Sequence, residues 1–104
     1  MAHCPYDKLG DLESALQEIR KLEKVVEKKP GVFYLKSKAF LHFHIKTDKS
    51  TAKNPNPTTR RWADARETLD QWGSEINLAM PMSPQDLAIF IKEIKRRYNN
   101  IILV

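Results

Sequence analysis

The sequence predicts an α+β domain: an antiparallel β-meander of about four strands, with an N-terminal and a C-terminal helix packed on one face. Three observations predict it. Apolar residues recur with helical spacing near both ends of the chain, they alternate with polar residues in the middle, and 104 residues provide for one hydrophobic core. A content of 41% hydrophobic and 30% charged residues is ordinary for a globular protein. We therefore expect residues 1–104 to form a single domain.

The first element is predicted to be an amphipathic helix over about residues 11–26. Its apolar residues, which recur at steps of three and four, are Leu12, Ala15, Leu16, Ile19, Leu22 and Val26. Asp11 follows Gly10 and is of a residue type that caps helices, so we expect it at the N-cap. The pair Pro30-Gly31 must end the helix, and an earlier end near Lys24 is the alternative.

A β-hairpin is predicted over residues 32–46, where the hydrophobic period changes to two and aromatic and β-branched residues are frequent. Alternation gives this hairpin two faces. The apolar face, expected to pack on the helices, comprises Phe33, Leu35, Leu41, Phe43 and Ile45. The other face, where function is expected, comprises Tyr34, Lys36, Phe40, His42 and His44.

Two segments after the hairpin allow more than one interpretation. Residues 47–59 hold Asn, Pro and Ser without a large apolar residue, which predicts a basic loop that is either a flexible binding loop or an inert insertion. Residues 60–72 fit a helix through the spacing of Trp62, Ala65 and Leu69. They also fit a strand, and a further strand over 75–80 would then complete a stable sheet.

The C-terminal helix is predicted over residues 84–98, because Ser83-Pro84 supplies an N-cap and a proline at the first helical position. Residues 101–104 are too apolar for a free tail. We expect them to pack on the core, to add an edge strand or to form a dimer contact.

Charge is unevenly distributed along the chain. The net charge is +5, yet residues 20–61 hold twelve basic and three acidic residues, a net of +9. Such a segment attracts nucleic acid or another polyanion, although solvated lysines that keep a protein soluble give the same composition. The candidate polyanion-binding residues are Lys36, Lys38, Lys49, Lys53, Arg60 and Arg61.

The hairpin residues PGVFYLKSKAFLHFH, from Pro30 to His44, resemble those of a family of small prokaryotic proteins with a GVFYLKSxxFLHFH hairpin and no assigned activity. In that family an A-D-[VA]-R segment follows, and later a helix that begins near Ser/Thr-Pro. Here the corresponding segments are Ala63-Asp64-Ala65-Arg66 and Ser83-Pro84. The resemblance covers most of residues 11–98, but only its hairpin motif is specific.

This chain departs from the family in the longer loop over residues 48–59 and in lacking a Pro-Gly near Glu23-Lys24. The resemblance implies a topology and no activity. It favours a strand at residues 62–66, which would add Trp62, Asp64 and Arg66 to the functional face.

The resulting candidate functional face comprises Tyr34, Lys36, His42, His44, Asp64 and Arg66. His42 and His44 are two residues apart on one strand, so both imidazoles project from the same side and can bind a metal. The third ligand would be Asp64, His3 or Cys4. The same histidines with Asp64 also suit acid/base chemistry, and aromatic residues among cations suit single-stranded nucleic acid.

Several functional classes are disfavoured by what the sequence lacks. One cysteine, Cys4, excludes an internal disulfide and a cysteine-based zinc site. No phosphate-binding loop and no zincin, kinase or hydrolase signature is present. No run is apolar enough for a membrane helix and no signal peptide is recognisable, so we expect a cytoplasmic protein.

The sequence therefore predicts a non-catalytic interaction or binding module. Single-stranded nucleic-acid or phosphate-ligand binding is one alternative, and a metal-binding or acid/base enzyme is the other. No cofactor is expected. A homodimer and a nucleic acid or other polyanion are the candidate partners, and a membrane is not.

Overall fold

In the computed structural model, which describes residues 4–47 and 58–103, a six-stranded antiparallel sheet carries helices on one face. The strands lie in the order β1-β2-β3-β4-β5, and β6 also pairs with β4. The elements in chain order are a 3-10 helix Tyr6–Leu12, α1 Glu13–Arg20, β1 Val25–Lys29, β2 Val32–Leu35, β3 Lys38–Thr47, β4 Thr59–Thr68, β5 Gln71–Trp72, β6 Ile76–Leu78 and α2 Pro84–Ile102. The predicted α+β class is confirmed.

The N-terminal helix differs from the prediction at both ends. It begins as a 3-10 helix at Tyr6, α1 ends at Arg20, and residues predicted to be helical up to position 26 enter β1. Lys24 takes a positive φ of 69°, which turns the chain away from the helix direction. Val26 pairs with Tyr34 of β2, so its match to the helical stripe was misleading.

The β2–β3 hairpin has a two-residue turn followed by a bulge, which removes two residues from the expected functional face. Lys36 and Ser37 both have positive φ, 52° and 67°, as a two-residue hairpin turn requires. Lys36 therefore lies in the turn. A β-bulge follows, because Phe33 pairs with Leu41 whereas Tyr34 pairs with Ala39. The extra residue, Phe40, is fully buried in the core instead of facing away from it.

Residues 60–72 form the strands β4 and β5 and the turn at residues 69–70 between them, so the helical alternative is wrong there. β4 pairs with β3 without interruption from Leu41↔Ala65 to Thr47↔Thr59. Ala63 and Ala65 are fully buried, and the small side chains let α2 pack closely on the strand. β6 is shorter than the predicted strand 75–80 and ends at Leu78.

One hydrophobic core lies between the helices and the sheet. The largest of its fully buried side chains are Phe33, Phe40, Phe43, Phe90, Leu16 and Ile94. α2 runs beyond the predicted end at residue 98, to Ile102. Ile101 is 3% exposed and packs in the core, as one of the three expectations for the C-terminal residues had it. Leu103, in contrast, is 81% exposed.

Arg61 is buried and joins three segments of the chain. Its Nη1 and Nη2 lie 2.8 and 2.7 Å from the two carboxylate oxygens of Asp11, and it also donates to the carbonyl oxygens of Lys8 and Ala79. Asp11 in turn accepts the backbone N–H of Met82 at 2.8 Å. Asp11 is thus not the predicted N-cap, and Arg61 is not an accessible cation for a polyanion.

Arg97 is the second buried arginine and ties α2 to the sheet. Its Nε donates to Glu93 at 2.7 Å, and its Nη1 and Nη2 donate to the carbonyl oxygens of Ala65 and Ser74 at 2.9 and 3.1 Å. The side chain is 4% exposed. Because a buried guanidinium must have its donors satisfied, these contacts fix the position of residues 73–74 relative to the helix.

Acid is expected to destabilise the fold below about pH 4. Hydrogen bonds from Arg61 lower the pKa of Asp11 from 3.8 to about 2, and bonds from Arg96 and Arg97 lower that of Glu93 from 4.5 to about 2. Because each folded pKa lies below its unfolded value, the stabilisation is complete above the unfolded pKa and is lost as the pH falls through about 2.

For Asp11 that stabilisation is about 2 kcal/mol. Urea unfolding at pH values from 7 down to 2 measures it. Asp11→Asn removes one of the titrating carboxyls and should flatten the pH dependence. An unfolding free energy that is constant across this pH range would contradict the conclusion that the ionised carboxylates stabilise the fold.

Candidate functional site

The sheet face opposite the helices, here called the polar face, carries Tyr34, His42, His44, Arg60, Trp62, Asp64, Arg66 and Trp72. The register of β3 and β4 brings its centre together, because His42 pairs with Asp64 and His44 pairs with Trp62. Side chains opposite each other on neighbouring antiparallel strands lie close enough to touch. The strand pairing therefore builds a cluster from residues about twenty positions apart in the sequence.

Two imidazoles and a carboxylate form the centre of the polar face. Nε2 of His44 lies 2.9 Å from Oδ2 of Asp64, and the rings of His42 and His44 are 4.6 Å apart in an edge-on arrangement. One ligand atom from each of the three residues lies within 4.8 Å of the other two. The side chains of His44 and Asp64 are 19% and 27% exposed, so the cluster is half-buried, and Nε2 of His44 is itself buried.

Aromatic rings and guanidinium groups continue the cluster on both sides. Trp62 stacks on His44 at 5.2 Å with an interplanar angle of 22°, and Arg60 lies 4.4 Å over the Trp62 ring. On the other side Trp72 meets His42 edge-on at 5.0 Å, and Arg66 lies 4.3 Å over Trp72. The result is a row in the order Arg60, Trp62, His44, His42, Trp72 and Arg66.

Hydrogen bonds hold the two guanidinium groups at the ends of this row. Arg60 donates to Asn77 at 3.1 Å and forms an ion pair with Glu75. Arg66 donates to the carbonyl oxygens of Ala39 and Leu69 at 2.5 and 3.2 Å. These bonds hold each guanidinium group in place over its tryptophan ring.

Trp62 is nearly enclosed by its neighbours. It is 9% exposed, and its indole N–H has no hydrogen-bond partner among residues 4–47 and 58–103. Base stacking needs an accessible aromatic face, which Trp62 does not offer in this arrangement. Trp72 is more open at 43% exposed.

The other predicted site residues are scattered. Tyr34 lies on β2 with the Lys28 ammonium 4.5 Å over its ring. Lys36 is exposed in its turn, and Lys38 contacts Asp70 at 3.5 Å. Lys49, Lys53 and the alternative ligand His3 lie outside the described residues.

Cys4, the other alternative ligand, is in the core. Its backbone N–H donates to the carbonyl oxygen of Phe43 at 3.0 Å, and burial raises the pKa of its thiol. Since a thiolate is the form that binds a metal, this environment disfavours Cys4 as a ligand.

Trp72 is the residue of the row that the sequence prediction missed. Its spacing from Leu69 matched the helical interpretation of that segment, which concealed the short strand β5. The pairing of Arg66 with Trp72 puts the indole beside the histidines. The available signal was that Trp72 is an aromatic residue an even number of positions after Arg66, which is compatible with a strand that pairs back on β4.

No family model, curated protein or solved structure matches this chain significantly. Among the described residues, no helix is long and apolar enough to cross a membrane. Only the chain's own residues therefore bear on its function, and the family resemblance of its hairpin stays a prediction.

Proposed function

We propose that the protein is a non-catalytic binding module that holds a divalent transition-metal ion on its polar face, through His42, His44 and Asp64. The observation that carries the proposal is the convergence of one ligand atom from each residue within 4.8 Å. Two imidazoles and a carboxylate, without sulfur, favour Zn²⁺, Cu²⁺, Ni²⁺ or Fe²⁺ over Ca²⁺ and Mg²⁺.

The distances suit a metal with small side-chain rotations. Ligand atoms bound to a tetrahedral ion at about 2.0–2.2 Å are roughly 3.4 Å apart. Nε2 of His44 and Oδ2 of Asp64 are 2.9 Å apart, which is shorter than that value. The ligand atoms of the three residues all lie within 4.8 Å of one another, so the other separations need to change by little more than about 1 Å. The strand pairing fixes the backbone of all three ligands, so the order required for binding is largely present before the ion arrives.

The alternatives have less support. Nucleic-acid binding through this face would need accessible rings and uncommitted cations, whereas Trp62 is enclosed and Arg60 is paired with Glu75. Catalysis through an amino-acid nucleophile would need a reactive side chain at the cluster. Ser37 lies in the β2–β3 turn, and Cys4 is buried with a raised pKa.

Calorimetric titration of the chelator-treated protein with Zn²⁺ tests the proposal, and one ion per chain is expected. His42→Ala and His44→Ala should each weaken binding about 100-fold or more, because even residues that merely orient a metal ligand contribute 10–100-fold. Asp64→Asn tests the carboxylate. His3→Ala is the matched control, since it removes the third histidine of the sequence and should leave the affinity unchanged.

Two spectroscopic readouts locate the ion. Co²⁺ should give visible absorption bands of a low-symmetry site with nitrogen ligands, and Cu²⁺ should quench tryptophan fluorescence because both indoles lie within 5.2 Å of a histidine ring. A protein that takes up no Zn²⁺, or one whose uptake is lost in His3→Ala and kept in His42→Ala, contradicts the proposal.

A further inference from the structure

A groove runs between β6 and the first half of α2, away from the polar face. Its volume is about 250 Å³. The apolar residues that line it are Ile76, Leu78, Met82, Ile89 and Phe90. Ile89 lines the groove and is nevertheless 60% exposed, and Met80, which follows the lining residue Ala79 in the sequence, is 44% exposed. An exposed isoleucine in a groove lined by four further large apolar side chains distinguishes this surface from scattered exposed residues.

One wall of the groove is a strand edge. β6 pairs with β4 through Leu78, Asn77 and Ile76, and no second strand pairs with it in the part of the chain that the structure describes. Its outer edge therefore presents backbone N–H and C=O groups that an additional strand can bond.

Buried arginines anchor the chain on both sides of β6. Arg97 donates to the carbonyl oxygen of Ser74 at 3.1 Å before the strand, and Arg61 donates to that of Ala79 after it. These two hydrogen bonds from buried guanidinium groups fix the chain on either side of the three-residue edge strand. Such an edge is held in place before any partner binds, which reduces the entropy lost on binding.

We propose that this groove binds an extended peptide segment of a partner protein, which adds a strand to the outer edge of β6. In this mode backbone hydrogen bonds hold the peptide, and alternate side chains enter the groove. The volume of about 250 Å³ is below that of a drug-sized ligand site and suits one or two apolar side chains.

The charge at the rim indicates a basic peptide. Among the described residues that line the groove, Asp86 and Glu93 carry carboxylates and none carries a cation. Glu93 is neutralised by Arg97, whereas Asp86 accepts the uncharged backbone N–H of Ser83 at 3.0 Å and keeps its negative charge.

Selection of random octapeptides displayed on phage against the full chain tests the proposal. We expect enriched sequences that alternate apolar residues with Lys or Arg. Their affinity should fall at least about tenfold in Ile89→Asp, which puts a charge where the apolar side chain would bind. A proline at the centre of a selected peptide should weaken binding similarly, because it removes a backbone donor.

Leu103→Asp is the matched control: it adds the same charge to an 81% exposed residue at the end of α2, outside the groove, and should leave peptide binding unchanged. Selected peptides should shift the amide resonances of residues 76–79 and 89.

Either of two outcomes overturns the proposal. In the first, Ile89→Asp weakens the binding of none of the selected peptides; in the second, the free protein is a dimer that this variant dissociates. Zn²⁺ binding should be unchanged in Ile89→Asp, so the two proposed sites can fail separately.

Discussion

Replacing Asp11 with alanine is expected to lower the free energy of unfolding by about 3 kcal/mol, because it leaves the guanidinium of Arg61 buried without its counter-ion. The Arg61 side chain is 2% exposed, and both of its Nη atoms lie within 2.8 Å of the Asp11 carboxylate. The substitution also removes the acceptor of the Met82 backbone N–H. One side chain thus supports the 3-10 helix, β4 and the chain before α2.

Urea unfolding of the wild type and the variant measures this loss. In the double variant Asp11→Ala/Arg61→Met the loss should be smaller than the sum of the single losses, since no charge stays buried without a partner. An exposed pair gives the matched control: Glu18→Ala breaks the contact with Lys21, whose side chain is 73% exposed, and should cost less than about 1 kcal/mol. Asp11→Ala at wild-type stability would show that water already solvates Arg61.

Alternation along the hairpin was a sound guide to which residues are buried. Five residues were predicted to face the helices. Phe33, Leu35, Leu41 and Phe43 are at most 1% exposed, and the fifth, Ile45, is partly buried against the core. The reason is physical, because a strand covered on one face can bury only every second side chain. The same rule put His42 and His44 on one side of β3.

Local patterns failed where pairing decides the structure. The bulge that buries Phe40 depends on how β2 aligns with β3, and no property of residue 40 itself signals it. Val26 continued a helical stripe by chance, although its position is set by pairing with Tyr34. Helix and strand periods coincide over short distances, so the correct choice depends on the neighbouring strand.

No local sequence pattern predicted the contacts between residues that are far apart in the chain. Asp11 and Arg61 are fifty residues apart, and each was given an ordinary role, a helix cap and a surface cation. The candidate metal site is an intermediate case. Alternation predicted that His42 and His44 share a face, and the family resemblance favoured a strand at Asp64, but the register that puts Asp64 beside His44 had to come from the structure.

Gly73 lies where an added methyl group would meet a buried cation. A Cβ at this residue would clash with Nη1 of Arg97, and it would lie 2.8 Å from Cζ of Arg97 and 3.1 Å from the carbonyl oxygen of Ala65. An arginine head group usually moves aside at little cost. Here it is 4% exposed and bonded to Glu93, Ala65 and Ser74, so it cannot move without losing hydrogen bonds.

Gly73→Ala is therefore expected to lower the free energy of unfolding by about 3 kcal/mol, the upper part of the range for overpacked sites. Gly10→Ala is the matched control, since nothing lies within 4 Å of its added Cβ, and it should change stability by less than about 0.5 kcal/mol. In an Arg97→Met background the further loss from Gly73→Ala should shrink to less than about 1 kcal/mol, because the clashing guanidinium is gone. Equal losses in both backgrounds would assign the cost to the carbonyl oxygen of Ala65 and not to the buried arginine that anchors β6.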